Sequence, residues 1–215
     1  MSPHLSGATP PAETPTGPVQ PYAAYEMRPL RTDADWAEAA ALVTDRLEWL
    51  ARKYAPRIGA ANVPQLSRET SVPVGLYDDG LLVCCLMLDR DPDTRRWGRE
   101  DGGPALLLRH VYTLPGQGGM GVARLLTMWA ADFAARSGLP WVRVEALLAA
   151  GTATPAEVVA HLIEYVAALG WTSLGTATGS LGERVTRLHR PAEHIPTLTV
   201  AIHCTVPLTE FRSTS

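Results

Sequence analysis

Gly116, Gly118, Gly119 and Gly121 fall within six residues, between a nearly continuous apolar stretch, Ala105–Thr113, and a stripe of Val122, Leu126, Trp129 and Phe133 at helical spacing. The apolar stretch reads as a strand covered on both sheet faces. The stripe reads as an amphipathic helix that ends near Gly138. A tight strand-to-helix turn needs one glycine or two. Four of them allow positive φ at several points and a close approach of the backbone to a ligand. The N–H groups can then converge at the helix N-terminus, where donors are unpaired and the dipole is positive. Such a turn is a phosphate cradle that needs no basic side chain.

Gly116-Gln-Gly-Gly-Met-Gly121 also fits the dinucleotide pattern G-x-G-x-x-G, and Glu145 ends the next strand about where a ribose-binding acid would sit. Two features speak against that reading. Thr113-Leu114-Pro115 separates strand from glycines, whereas the dinucleotide turn follows its strand directly. A β-hairpin precedes the motif, whereas dinucleotide domains run βαβαβ.

The hairpin is read from Val72–Tyr77 and Leu81–Leu88 around Asp78-Asp79-Gly80, because Asp-Gly is a strong hairpin-turn signal. Before it come a strand over Tyr25–Leu30 and a helix over about Asp33–Lys53, opened by the box Thr32-Asp33-Ala34-Asp35. After the glycine helix, Pro140–Ala146 reads as a strand. Thr154-Pro155-Ala156-Glu157 opens a helix that Gly170 stops. Trp171–Ala177 and Thr197–Val206 read as closing strands. The fold class expected is mixed α/β, a mixed sheet with helices on both faces. Tyr54–Thr70 reads as irregular, and Asp89–Gly103 as a charged loop carrying Arg95, Arg96 and Trp97.

The chain of 215 residues is sized for one domain, 25–215, with a Pro/Thr/Ala/Gly-rich disordered tail over 1–24. A net charge of −3 gives no broad electrostatic case for nucleic acid or an anionic membrane. No run of about 18 apolar residues appears, and no basic segment precedes an apolar one at the N-terminus, so neither a membrane span nor a secretory signal is expected. Cys84 and Cys85, adjacent on a strand, should point to opposite faces; a sparse odd set of three cysteines fits reduced thiols in a cytoplasm. The histidines, including His189, His194 and His203, lack metal-ligand spacing, so no metal is expected.

With these residues in place, the chain resembles the GNAT acetyltransferase superfamily over Tyr25 to about Ala177. The family's loop V-x-P-x-x-[RQ]-G-x-G-x-[GA] is matched by Thr113, Pro115, Gly119, Gly121 and Ala123. Leu169-Gly170-Trp171 matches the family's Leu-Gly-aromatic after the last helix. The family's Arg/Gln position falls on Gly118, with Gln117 one residue early. Its helix tyrosine falls on Val166, with Tyr165 one residue early. The resemblance implies a mostly antiparallel sheet and an acyl-CoA co-substrate, acetyl-CoA or another. It places that co-substrate on Val111, Tyr112, Thr113, Gln117, Gly118, Gly119, Met120, Gly121, Val122 and Ala123. It implies direct attack of an amine on the thioester.

Three residues are candidates for the proton chemistry. His110 lies on the strand expected to line the acyl site, and its ordinary pKa suits a base; its ordinary reading is a core histidine. Glu145 is a second candidate base, otherwise a solvated carboxylate at a strand end. Tyr165 is a candidate acid for the leaving thiolate, otherwise a boundary aromatic with its hydroxyl in water. A small-molecule amine acceptor is preferred to a protein. A homodimer and a carrier-protein thioester donor stay open, and a non-catalytic acyl-CoA sensor is the rival of another class.

Overall fold

Asp79 and Gly80 join two strands, β2 (Ser71–Asp78) and β3 (Leu81–Asp89), and both are left-handed, with φ of 47° and 81°. That is the backbone a two-residue hairpin turn demands, since its twist matches the strands it joins. The computed structural model describes residues 23–54, 71–89, 97, 103–116, 121–147, 156–179 and 184–208. Residues 1–22 of the expected tail, 55–70 and most of 90–102 therefore lie outside the described residues. The remaining elements are β1 (Tyr25–Pro29), α1 (Asp33–Tyr54), β4 (Ala105–Thr113), α2 (Val122–Arg136), β5 (Trp141–Leu147), α3 (Ala156–Ala168), β6 (Thr172–Thr178), β7 (Arg184–Pro191), α4 (Leu198–Ala201) and β8 (Ile202–Cys204).

The strands form one sheet ordered β6-β7-β5-β4-β3-β2-β1-β8. β4 and β5 run parallel, as do β1 and β8; every other neighbouring pair is antiparallel. The helix between β4 and β5 supplies the crossover that a parallel pair requires. On one face, Ala39, Leu42 and Val43 of α1 pack on Tyr77, Leu82, Cys85 and Tyr112. On the other, Leu126, Trp129 and Phe133 of α2 and Val166 of α3 join Leu76, Cys84, Leu106, Leu108 and Val142. Cys84 and Cys85 thus face opposite sides, as their adjacency on a strand predicts, and both are free thiols. Burial pushes the Cys84 thiol well above its ordinary value and the Cys85 thiol to about 12.

The box at the start of α1 forms as its residues predict. The Asp35 N–H donates to the Thr32 hydroxyl (3.1 Å), and the Thr32 N–H donates back to the Asp35 carboxylate (2.9 Å). The same carboxylate accepts from the Arg31 N–H (3.0 Å), Arg28 Nη1 (2.9 Å) and the Tyr77 hydroxyl (3.3 Å). Burial opposes ionisation of Asp35, but the N–H groups of Thr32 and Arg31, the Thr32 hydroxyl and Arg28 outweigh it. They hold the carboxyl well below the usual range. A value depressed by folding makes the stabilisation complete above the unfolded value, near 4; it is lost progressively as pH falls from there through the lower folded value. Asp35→Ala should cost about 2 kcal/mol at pH 7. The urea midpoints of wild type and Asp35→Asn should converge as the pH drops below about 4. A gap that stays constant with pH would remove the ionised carboxylate from the stability of this helix start.

The C-terminal region departs from expectation. Thr197–Val206 does not form one strand: Leu198–Ala201 is a helical turn, and only Ile202–Cys204 pairs, with β1. Arg184–Pro191, which carries three arginines, is the strand that joins β5 to β6. Its arginines mask the apolar signal of Val185 and Leu188, and only the neighbours it meets in the sheet make it a strand.

Candidate active site

The site begins with one extra residue in β4. Arg109 pairs with Met87 and Tyr112 with Cys85, so Leu86 of β3 faces both His110 and Val111. His110 takes φ of 51° to make this bulge. A bulge bends its strand and reverses the side-chain alternation beyond it. Leu108 and Val111 accordingly pack on the α2 side, whereas Tyr112 packs on the α1 side.

The bend parts the sheet. The parallel ladder between β4 and β5 ends at Leu108 with Val144. Beyond that rung β4 keeps its bonds to β3 as far as Thr113, and β5 keeps its bonds to β7 as far as Leu147. Two strand edges therefore face each other across a split at their C-terminal ends. In open α/β sheets this is where ligands bind.

α2 starts at the same end. Pro115-Gly116 follows β4 in a turn, Gly116 has φ of 86°, and Gly121 caps α2 with φ of 73°. Among the described residues no side chain caps the helix, and its first turn carries no acid. Its leading N–H groups lack intrahelical partners, so this end suits an anion. A Cβ at Gly121 would project into open space, with nothing within 4 Å. Of the expected coenzyme residues, Val111, Tyr112 and Thr113 lie on the β4 edge, and Gly121, Val122 and Ala123 lie at the helix start. The side chains of Tyr112 and Val122 are buried in the core, which leaves those two only their backbone to offer. Gln117, Gly118, Gly119 and Met120 lie outside the described residues.

Glu145 is the first residue of β5 past the last rung, and it is not a solvated carboxylate. Its side chain is buried, and Arg187 Nε of β7 lies 3.4 Å from Oε1. Register sets the pair, since Glu145 and Arg187 are opposite each other on antiparallel strands. His110 and Glu145 thus stand on the two lips of the split. Tyr165 lies exposed on α3, 46% accessible, next to buried Val166. His189 stacks on Trp141 at 5.1 Å, and His194 Nδ1 meets Asp132 at 2.8 Å.

Sequence reasoning missed the charged floor around Glu145. Arg143 is buried, and the guanidiniums of Arg143 and Arg187 lie 5.3 and 5.2 Å from the centroid of the buried Trp97 ring. Arg109 pairs with Asp89 at 2.6 Å on the neighbouring strands. The alternation Arg143-Val144-Glu145 inside a buried strand was the available signal: one face is apolar and the other charged. A separate cavity of about 170 Å³, bordered by Trp129, Asp132, Arg136 and Cys204, lies toward the other end of α2.

No family model and no curated protein sequence matches the chain. Solved structures do. FeeM, an N-acyl amino acid synthase from uncultured soil microbes, superposes with a TM-score of 0.52 at 15% identity, over 78% of this chain and 91% of that one. An acetyltransferase of the GNAT family from Listeria monocytogenes gives 0.50 at 13% identity, over 78% and 94%. At such identities the likeness is one of fold.

Proposed function

Given a chain with the fold of the GNAT acetyltransferases, we propose that it moves an acyl group from an acyl-coenzyme A, such as acetyl-CoA, onto the amine of a small molecule. The observation that carries this reading is the split between β4 and β5, which opens beside the glycine-capped N-terminus of α2. A helix start without acid or side-chain cap suits a pyrophosphate. Two strand edges whose mutual ladder ends at Leu108 and Val144 suit an amide-bearing arm lying between them.

The chain's own groups then have three tasks. The amine must reach the thioester neutral, although a free alkylamine is mostly protonated at pH 7. Glu145 is assigned the removal of that proton, directly or through water, because it is held at the apex of the split by Arg187. Backbone N–H groups on the β4 edge are assigned to the developing oxyanion. As the N–C bond forms and the C–S bond breaks, the thiolate leaves with the electron pair and takes a proton from Tyr165 or from water.

Tyr165→Phe tests the last assignment. A general acid is worth about 10²–10⁴-fold, and a thiolate leaves fairly well unaided, so kcat should fall at least about tenfold with acetyl-CoA affinity unchanged. A kcat within about twofold of wild type would assign unassisted departure. The function as a whole is tested by thiol release from acetyl-CoA across a panel of amines, with calorimetry of acetyl-CoA alone. Binding without release for any amine would make the protein a sensor, and no binding would sink the reading.

A further inference from the structure

Ala105, Leu106, Leu107 and Leu108 follow one another at the start of β4, and all are buried. Register is set by the hydrophobic pattern, because a slip of one residue turns every side chain to the other face. Here a slip exchanges leucine for leucine. Leu106 and Leu108 lie in the core under α2, and Leu107, equally buried, could take the place of either. The apolar pattern of β4 therefore leaves two registers against β3 open. In the observed one the extra residue sits at His110. In the other β4 runs straight, with Val111 opposite Leu86, His110 opposite Met87, Arg109 opposite Leu88 and Leu108 opposite Asp89.

Arg109 is the first residue of β4 for which the two registers differ in kind. In the observed one it lies opposite Met87, and its Nη2 reaches Asp89 Oδ2 at 2.6 Å. Asp89, opposite Leu107, is two residues along β3 on the same face. In the straight register Arg109 would stand opposite Leu88, parted from Asp89, with its charge turned into the core under α2, where Leu88 lies. The pair is poorly suited to stability. The Asp89 side chain is 4% exposed and that of Arg109 19%, so desolvation of the charges offsets their attraction. Arg109 Nε is also buried without a hydrogen-bond partner. The best-attested use of such a buried pair is to fix a register.

We propose that Asp89 and Arg109 form a register lock. The pair holds β4 in the alignment that leaves one residue over at His110, and so keeps the split between β4 and β5 open. Both are positioning residues that act through the backbone. The lock stands on the ladder alone; its value for the coenzyme rests on the acyl-transfer reading above.

Arg109→Leu combined with Asp89→Asn lengthens the apolar run, removes both charges and should leave the chain folded. Cross-strand nuclear Overhauser effects in the full labelled chain report the register. Wild type should connect Leu88 with Leu108 and Met87 with Arg109. The double variant should connect, in addition or instead, Leu88 with position 109 and position 89 with Leu108. Calorimetry of acetyl-CoA supplies the second readout. A native register populated at about a tenth weakens apparent affinity about tenfold. Native connections alone in the double variant would overturn the lock. Slipped connections with acetyl-CoA affinity within about twofold of wild type would uphold the lock and remove the split from the coenzyme site. No binding of acetyl-CoA by wild type would sink the acyl-transfer reading and leave the lock to be decided by the connections. If the double variant does not fold, the exchanged pair, Asp89→Arg with Arg109→Asp, decides. Native connections there uphold the lock, and an exchanged pair that slips or does not fold overturns it.

Discussion

Glu145→Gln should lower kcat at pH 7 by at least about a hundredfold, within the 10²–10⁴ range of a positioned base, while acetyl-CoA affinity stays within about twofold. The replacement keeps shape and an acceptor oxygen for Arg187 Nε, which lies 3.4 Å from Oε1, but it removes the charge opposite a largely buried guanidinium, so the melting temperature is measured beside the rate to separate a folding loss from a catalytic one. It removes the group that takes the amine's proton. The loss should therefore shrink as pH rises and the acceptor amine, with a free value near 10, deprotonates in solution. His110 supplies the contrast. At φ of 51°, alanine would add strain to the loss of the ring, whereas asparagine tolerates this backbone. His110→Asn is expected to stay within about threefold of wild type. If instead His110→Asn shows the large, pH-rescued loss and Glu145→Gln does not, the base is His110, and Glu145 only completes the ion pair with Arg187.

Gly121→Val should weaken acetyl-CoA binding by about thirtyfold or more, or about 2 kcal/mol. In the free protein a Cβ here meets nothing within 4 Å, so packing does not exclude a side chain. Two other effects do. The residue caps α2 at φ of 73° and ψ of 9°, where a β-branched residue is a genuine outlier and left-handed backbone costs about 1–2 kcal/mol. The open space in front of it is also where a phosphate would approach the first N–H groups of the helix. Gly121→Ala separates the two effects, since it keeps most of the strain with less bulk, and should fall between wild type and valine. Equal affinity of wild type and Gly121→Val, with native circular dichroism, would remove this turn from the coenzyme site.

What the sequence determined by itself is what short-range physics controls. The Asp79-Gly80 turn needs φ > 0 at two adjacent residues, and Asp-Gly announces it. The reciprocal bonds of Thr32 and Asp35 close within a single helical turn. The glycine before Val122 marks a helix start, and the alternation of a strand sends Cys84 and Cys85 to opposite faces. Each of these depends on residues a few positions apart. Tertiary structure decided the rest. The extra residue at His110 exists only relative to Leu86 on a neighbouring strand, and with it the split between β4 and β5. β7 reads as polar chain until β5 and β6 bond to it. Glu145 looks like a solvated acid until the ladder sets Arg187 opposite and Trp97 covers both arginines. Burial and register of charged groups are properties of partners distant in sequence, and no local pattern in a strand encodes which partner will arrive.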